Sequence, residues 1–120
     1  MKAAILAVGS ELLGTDRLDT NSLRLTGLLA RHGAELRRKA VIGDSEEEIA
    51  AEIRILLSRV DLVLVTGGLG PTADDVTREA VADALGRGLH QDEEVLASLE
   101  RRFQSLGWRM PEVNRRQAQV

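Results

Sequence analysis

The sequence predicts an α/β fold built on a mostly parallel sheet. Two apolar runs, "AAILAVG" at 3–9 and "DLVLVTGG" at 61–68, have the length and composition of buried strands. Segments with helical periodicity separate them, and strands that alternate with helices form parallel sheets through right-handed crossovers. Because these strands are apolar almost throughout, we expect helices to cover both faces of the sheet.

The remaining elements are predicted from local patterns. "AELRRKAVIG" is interpreted as a further strand whose end, Val41 and Ile42, is buried. The strands are therefore expected at 3–9, 34–43 and 61–68. Helical periodicity with start and stop signals predicts helices at 21–33, 44–60, 72–88 and 92–107, and a fifth that opens at Pro111.

Two helices have specific end signals. For the first, Thr20 and Asn21 are the candidate N-caps, and Gly33 suits the position after the last turn. In the second, Ser45 and Glu48 have the spacing of a capping box. The apolar stripe of the second helix consists of Ile49, Ile53, Leu56 and Leu57.

Composition excludes several classes of function. The chain has 120 residues, 2% of them aromatic, and no cysteine, so disulfides, thiol catalysis and cysteine-ligated zinc are excluded. The lack of cysteine is compatible with a reducing cytoplasm, where we expect the protein to act. No apolar run approaches the ~20 residues that span a bilayer, so we expect no membrane association.

Charge and length bound the partners and the domain count. The net charge is −3, but residues 101–120 hold five arginines and one glutamate, a local +4. The acidic remainder argues against nucleic-acid binding. The length fits one domain. Because a helix that opens at Pro111 would be cut at Val120, we expect residues 1–120 to form a single but incomplete domain.

Polar loops follow all three predicted strands. In open parallel sheets, ligands bind outside the carboxyl ends of the strands, so these loops should converge on one edge. The loops are "GSELLGTDRLDTN", "GDSEE" and "TGGLGPTADD". Convergence would bring together Ser10, Glu11, Asp44, Gly67, Gly68, Gly70, Thr72, Asp74 and Asp75.

The glycine loop has the composition of a phosphate site. Gly67, Gly68 and Gly70 lack Cβ atoms, so a ligand can approach the backbone, and successive amide N–H groups can form an anion-binding concavity. The alternative is a tight turn without a ligand. A P-loop is excluded because the loop has no lysine, and the match of Gly68, Gly70 and Ala73 to a dinucleotide fingerprint is weak.

The carboxylates have two possible roles. Thr72 and Asp75 have the spacing of a capping pair, and Asp44 precedes the second helix, so each acid suits a helix start. Acids beside a phosphate are also what Mg²⁺ needs, since that ion binds through one or two carboxylates and substrate oxygens. Asp44 and Asp75 are the candidate metal ligands. Glu11 and Asp74 are candidates for orienting water.

Four segments resemble a known family throughout the chain: "AVGSELLGTDRLDTNS", "VIGDSEEEI", "DLVLVTGGLGPTADDVTREAVA" and "MPEVNRRQAQV". They are similar to the N-terminal domain of the competence/damage-inducible protein CinA, which resembles the molybdopterin-binding domains of MoaB and MogA. The resemblance implies a three-layer α/β/α fold. It assigns substrate binding to Gly9 and Ser10 and to the loop Thr66, Gly67, Gly68, Gly70, Pro71 and Thr72, and catalysis to Glu11, Asp44, Asp74 and Asp75.

The same resemblance implies an activity and partners. The activity implied by the resemblance to CinA is the hydrolysis of ADP-ribose to AMP and ribose 5-phosphate, aided by a divalent metal of the Mg²⁺ or Co²⁺ type and by potassium. In the molybdopterin branch the same pocket binds or adenylylates a pterin. Family members tend to be oligomeric, so a homo-oligomer, as a dimer, is expected. Longer members often carry a C-terminal amidohydrolase domain.

Three functional hypotheses follow. The chain is a metal-dependent pyrophosphatase, a pterin- or nucleotide-binding module without hydrolytic activity, or a scaffold piece that lacks part of its site. The first two use the same loops and differ in turnover.

Overall fold

The computed structural model describes residues 1–120 and confirms the α/β fold with a parallel sheet. None of its helices is long and apolar enough to cross a membrane. The strands are β1 (Lys2–Val8), β2 (Glu35–Ile42) and β3 (Leu62–Thr66), in the order β2-β1-β3. The helices are α1 (Thr20–Arg31), α2 (Glu46–Leu57), α3 (Thr77–Leu85) and α4 (Glu93–Ser105), with 3-10 helices at Ser10–Leu13 and Glu112–Ala118.

The central strand β1 is buried on both faces, as its apolar sequence predicts. Every residue from Ala3 to Val8 is at most 2% exposed. Ala4, Leu6 and Val8 pack against α2 and α3, while Ala3 and Ile5 lie in a second cluster with Leu29 of α1. Helices therefore cover both faces, which gives the expected three layers.

The outer strands are less buried than predicted. In β2 only Leu36, Ala40 and Ile42 are half-buried and the other residues are exposed, while β3 is half-buried throughout. The expectation that Val41 is buried is wrong, since 40% of its surface is exposed. β2 is an edge strand with a neighbour on one side only, and edge strands tolerate charged and exposed side chains.

Helix ends confirm two of the predicted signals and correct one. The Ser45 hydroxyl accepts from the Glu48 amide at 3.4 Å, and Gly33 follows α1 with φ of 71°. The N-cap of α1 is neither Thr20 nor Asn21 but Asp19, whose carboxylate accepts from the Ser22 amide at 3.0 Å. A carboxylate satisfies the free amide and also complements the positive end of the helix dipole.

Two later boundaries differ from the predictions. α3 begins at Thr77, not at residue 72, and residues 67–76 form an irregular loop ahead of it. A helix was expected from Pro111, but the segment after it is a 3-10 helix. Its end is held by backbone hydrogen bonds that join Ala118 to Asp92 and Val120 to His90. This pairing fixes the tail against the segment before α4.

The stripe of α2 provides a matched test of the core. Leu56 is 1% exposed, whereas Leu57, expected in the same stripe, is 41% exposed. Leu56→Ala should destabilise the protein by about 2–5 kcal/mol, and Leu57→Ala by about 1 kcal/mol or less. Urea unfolding curves of the two variants measure the difference. Equal losses would contradict the packing of α2 described here.

Candidate functional site

The loops after β1 and β3 enclose a small cleft at the carboxyl ends of these strands. Its volume is about 220 Å³. Glu11 and Gly67 face it from the two loops, and Thr66 lies at the end of β3. The other lining residues are Val8, Leu12, Arg17, Leu18, Asp19, Thr20 and Asn21. The edge predicted to bind ligands is therefore the edge at which the structure has a cleft.

Ser10 and Asp44 tie the loop after β1 to the loop after β2. The Ser10 amide donates to Asp44 Oδ2 at 3.2 Å, and the Asp44 amide donates to Ser10 Oγ at 3.1 Å. Asp44 is half-buried, and the hydrogen bond from Ser10 occupies one of its carboxylate oxygens, Oδ2. The structure thus brings two predicted site residues together and shows how each orients the other.

Glu11 folds back over the chain at Gly9. A Cβ atom built at Gly9 would lie 2.6 Å from Glu11 Oε1, so the carboxylate occupies the space that a side chain at residue 9 would take. Gly9 is itself buried, and its amide donates to the Ile42 carbonyl at 2.9 Å. Gly9 and Glu11, which were predicted as separate site residues, therefore pack together at the end of β1.

Gly67 and Gly68 are required by close backbone packing. Both have positive φ, 86° and 65°. A Cβ atom at Gly67 would overlap the carbonyl oxygen of Val8, and one at Gly68 would overlap the hydroxyl of Thr77. That hydroxyl donates to the Gly67 carbonyl at 2.7 Å, and the Thr77 amide donates to the Gly68 carbonyl at 3.2 Å. Thr77 is 2% exposed and locks this half of the loop to α3.

Asp75 closes the other half of the loop. Its Oδ2 accepts from the Thr72 hydroxyl at 2.7 Å and from the Thr72 amide at 3.0 Å. The hydrogen bond from the Thr72 hydroxyl is the main cause that lowers the pKa of Asp75. Partial burial raises this pKa, whereas hydrogen bonds from the amides of Thr72 and Gly70 and the positive charge of Arg116 lower it further. The Thr72–Asp75 pairing was predicted correctly, but it closes a turn ahead of α3.

The packing of the protein itself therefore explains why this loop contains glycines. A Cβ at Gly70 would lie 2.6 Å from Asp75 Oδ2, so each of Gly67, Gly68 and Gly70 meets a neighbour in the protein itself. The number of glycines alone does not argue for a ligand. The cleft beside Gly67 is the feature that favours one.

Three contributors to the site were missed by the sequence analysis. Arg17 supplies a positive charge to the cleft, Thr77 anchors the glycine loop, and Arg116 contacts the carbonyls of Thr72 and Asp75. Arg17 and Thr77 have no distinctive motif around them. Arg116 lies in the segment "MPEVNRRQAQV", whose resemblance to a known family was noted without a role.

The predicted acids do not form a metal centre by themselves. No three His, Asp or Glu side chains lie close enough together to hold a metal ion. Asp44 is tied to the loop after β1 and Asp75 to its own loop, while Asp74 is exposed and Pro71 is half-buried. Of the four predicted acids, only Glu11 lines the cleft, whereas Asp44, Asp74 and Asp75 do not.

Comparison with known proteins places the chain in a structural context. A family model described as a probable molybdopterin binding domain matches residues 4–117. A CinA-like protein from Solibacter usitatus (strain Ellin6076) is 53% identical over 120 residues, which is 100% of this chain and 29% of that protein. The chain therefore spans about 29% of the length of such a curated relative.

Solved structures show the same fold. CinA from Thermoplasma acidophilum, described as of unknown function, has a TM-score of 0.91 and 32% identity, covering 100% of this chain and 70% of its own. The molybdopterin biosynthesis enzyme MoaB from Thermus thermophilus has a TM-score of 0.67 and 26% identity, covering 93% of this chain and 68% of its own. The predicted resemblance to CinA and to MoaB-like domains is confirmed.

The packing of Gly68 can be tested against a glycine with the same backbone. Gly86 has φ of 64°, close to the 65° of Gly68, but nothing lies within 4 Å of a Cβ built there. Gly86→Ala should cost about 1–2 kcal/mol from its left-handed conformation alone. Gly68→Ala should cost clearly more, because its Cβ also meets Thr77. Denaturant midpoints compare the two, and equal costs would contradict the contact.

The lowered pKa of Asp75 predicts a pH-dependent contribution to stability. The ionised carboxylate stabilises the fold above the ordinary aspartate pKa of about 3.9, and this contribution is lost as the pH falls through the lower pKa of the folded state. Asp75→Asn should therefore unfold at lower urea than the wild type at pH 7, and the gap should shrink below about pH 3.9.

Asp74→Asn serves as the control for this substitution, because Asp74 is the exposed neighbour of Asp75. It should keep the urea midpoint of the wild type at pH 7. A stability gap for Asp75→Asn that stays constant into the acid range would show that its charge contributes nothing.

Proposed function

We propose that this chain, which belongs to the family of probable molybdopterin binding domains, is a metal-dependent pyrophosphatase that hydrolyses ADP-ribose to AMP and ribose 5-phosphate. The observation that carries the proposal is the cleft between Glu11 and Gly67. In this cleft the Glu11 carboxylate and the backbone of Gly67 lie near each other at the carboxyl ends of parallel strands. Such an edge is the usual ligand site of open α/β sheets.

The shape of the cleft suits a diphosphate with extended arms. Its 220 Å³ is below the ~300–1,000 Å³ of a typical whole-ligand pocket. Asn21 and Thr66 also line a larger groove of about 650 Å³ along α1. In our proposal the pyrophosphate occupies the cleft, and one nucleoside or sugar arm lies in the adjoining groove.

The local chemistry favours an anion. Arg17 lines the cleft with a positive charge. The carbonyls of Gly67 and Gly68 are drawn toward Thr77, and the N–H of a trans peptide points opposite to its C=O. The amides of Gly68 and Leu69 are therefore directed away from Thr77, and we propose that they donate to phosphate oxygens.

Hydrolysis requires water to attack one phosphorus atom while the bond from that phosphorus to the bridging oxygen breaks. Glu11 is the proposed base that orients the water and accepts its proton. Asp44 and Asp75, which lie in the loops at this edge but do not line the cleft, would hold the divalent cation. The cation would neutralise charge on the pyrophosphate. Backbone amides and Arg17 would fix the phosphates so that the attacked bond lies next to Glu11.

A second candidate is a pterin- or nucleotide-binding module without turnover. The commitment of Asp75 to Thr72 favours it, since hydrogen bonds that hold a carboxylate in the loop compete with its use as a metal ligand. The similarity to MoaB, named as a molybdopterin biosynthesis enzyme, points in the same direction.

ADP-ribose turnover distinguishes the two candidates. The chain should release AMP from ADP-ribose only when Mg²⁺ or Co²⁺ is added, and Glu11→Gln should lower kcat by roughly 10²–10⁴-fold, as expected for loss of a general base. Glu94→Gln, at an exposed position in the first turn of α4, is the matched control and should keep full activity.

Two results would contradict the pyrophosphatase. One is full activity of Glu11→Gln. The other is calorimetric binding of ADP-ribose or a pterin without AMP release at any metal concentration, which would favour the binding module.

A further inference from the structure

Arg116 reaches the glycine loop from the other end of the chain. It lies in the 3-10 helix Glu112–Ala118. Its guanidinium donates to the carbonyl of Thr72 through Nη1 and to the carbonyl of Asp75 through Nη2, the latter at 2.9 Å. Nη2 also pairs with Glu79 Oε1 of α3 at 2.9 Å. One side chain thus connects the tail, the loop and α3.

The two carbonyls held by Arg116 bracket the turn that Asp75 closes from within. The Asp75 amide donates to the Thr72 carbonyl at 3.1 Å, while the Asp75 carboxylate accepts from Thr72. Arg116 therefore binds the outer side of a turn whose inner side is already bonded. A planar guanidinium presents several donors in a fixed fork, so it can fix both carbonyls at once.

The ion pair beneath the loop is half-buried. The side chains of Arg116 and Glu79 are 30% and 25% exposed, and Glu79 Oε2 is buried with no hydrogen-bond partner. The positive charge of Arg116 thus compensates the cost of burying the Glu79 carboxylate.

Arg78 of α3 donates hydrogen bonds to the carbonyls of Leu69 and Gly70, which precede the turn. Arginine side chains therefore bind both halves of the loop.

We propose that Arg116 is a positioning residue, which holds the 72–75 turn and the attached glycine loop in the conformation that aligns a bound pyrophosphate for attack. It acts through backbone carbonyls and does not itself touch the ligand. The effect on ligand and turnover rests on the proposed function, whereas the hold on the loop does not. An arginine at this position makes the loop depend on correct docking of the tail segment.

Hydrogen–deuterium exchange tests the hold on the loop without any ligand. In Arg116→Ala, amides within 66–76 should exchange roughly tenfold faster or more, as the loss of charge-assisted hydrogen bonds predicts, while β1 and α2 stay protected. Arg116→Lys keeps the charge beside Glu79 but lacks the fork, so it should be intermediate. Arg115→Ala is the matched control, because Arg115 pairs with exposed Glu112 at 3.4 Å and should match the wild type.

Either of two exchange results would overturn the proposal. One is unchanged exchange of the loop in Arg116→Ala. The other is an equal rise throughout the chain, which would mean a general loss of stability.

Steady-state kinetics then separates positioning from binding. Arg116→Ala should lower kcat for ADP-ribose by roughly 10²-fold with little change in KM, the cost expected of a misplaced site, and Arg116→Lys should recover part of it. A change in KM alone would indicate direct ligand contact and would contradict positioning. If the wild type shows no turnover, the proposed function fails, and the exchange data still decide the role of Arg116.

Discussion

The loop after β3 turns directly against the end of β1, and the arrangement of the site depends on this close approach. Gly67 lies against the Val8 carbonyl and Gly68 against the Thr77 hydroxyl, with no space for a Cβ atom at either position. β1 itself cannot yield, because it is buried on both faces. The loop must therefore follow one path, and that path sets the wall of the cleft opposite Glu11.

The acids of the site serve structure and charge together. Asp44 joins two loops through Ser10, and Asp75 closes its own turn through Thr72. In both cases one carboxylate oxygen holds the backbone. Each of these carboxylates therefore has a structural role in its loop, whatever the loop binds.

The sequence was most informative where local rules decide the outcome. The sequence predicted the order of strands and helices along the chain and the end of α1 at Gly33. It also predicted the capping of α2 by Ser45 and the pairing of Thr72 with Asp75. Prediction from the sequence failed where the burial of a residue depends on its position in the sheet, or where a helix boundary depends on a contact with a distant residue. Val41 is exposed because β2 is an edge strand, and α3 starts late because Thr77 bonds the loop carbonyls.

The α/β class, the family resemblance and the loops that meet at one edge could be predicted from the sequence, because they depend on the alternation of elements and on local motifs. The packing of each glycine in the loop, the place of Arg17 in the cleft and the contacts of Arg116 with the loop are visible only in the folded protein. Arg116 is 41 residues from Asp75. No periodicity or spacing encodes such a contact, since it exists only after the sheet and its helices have packed.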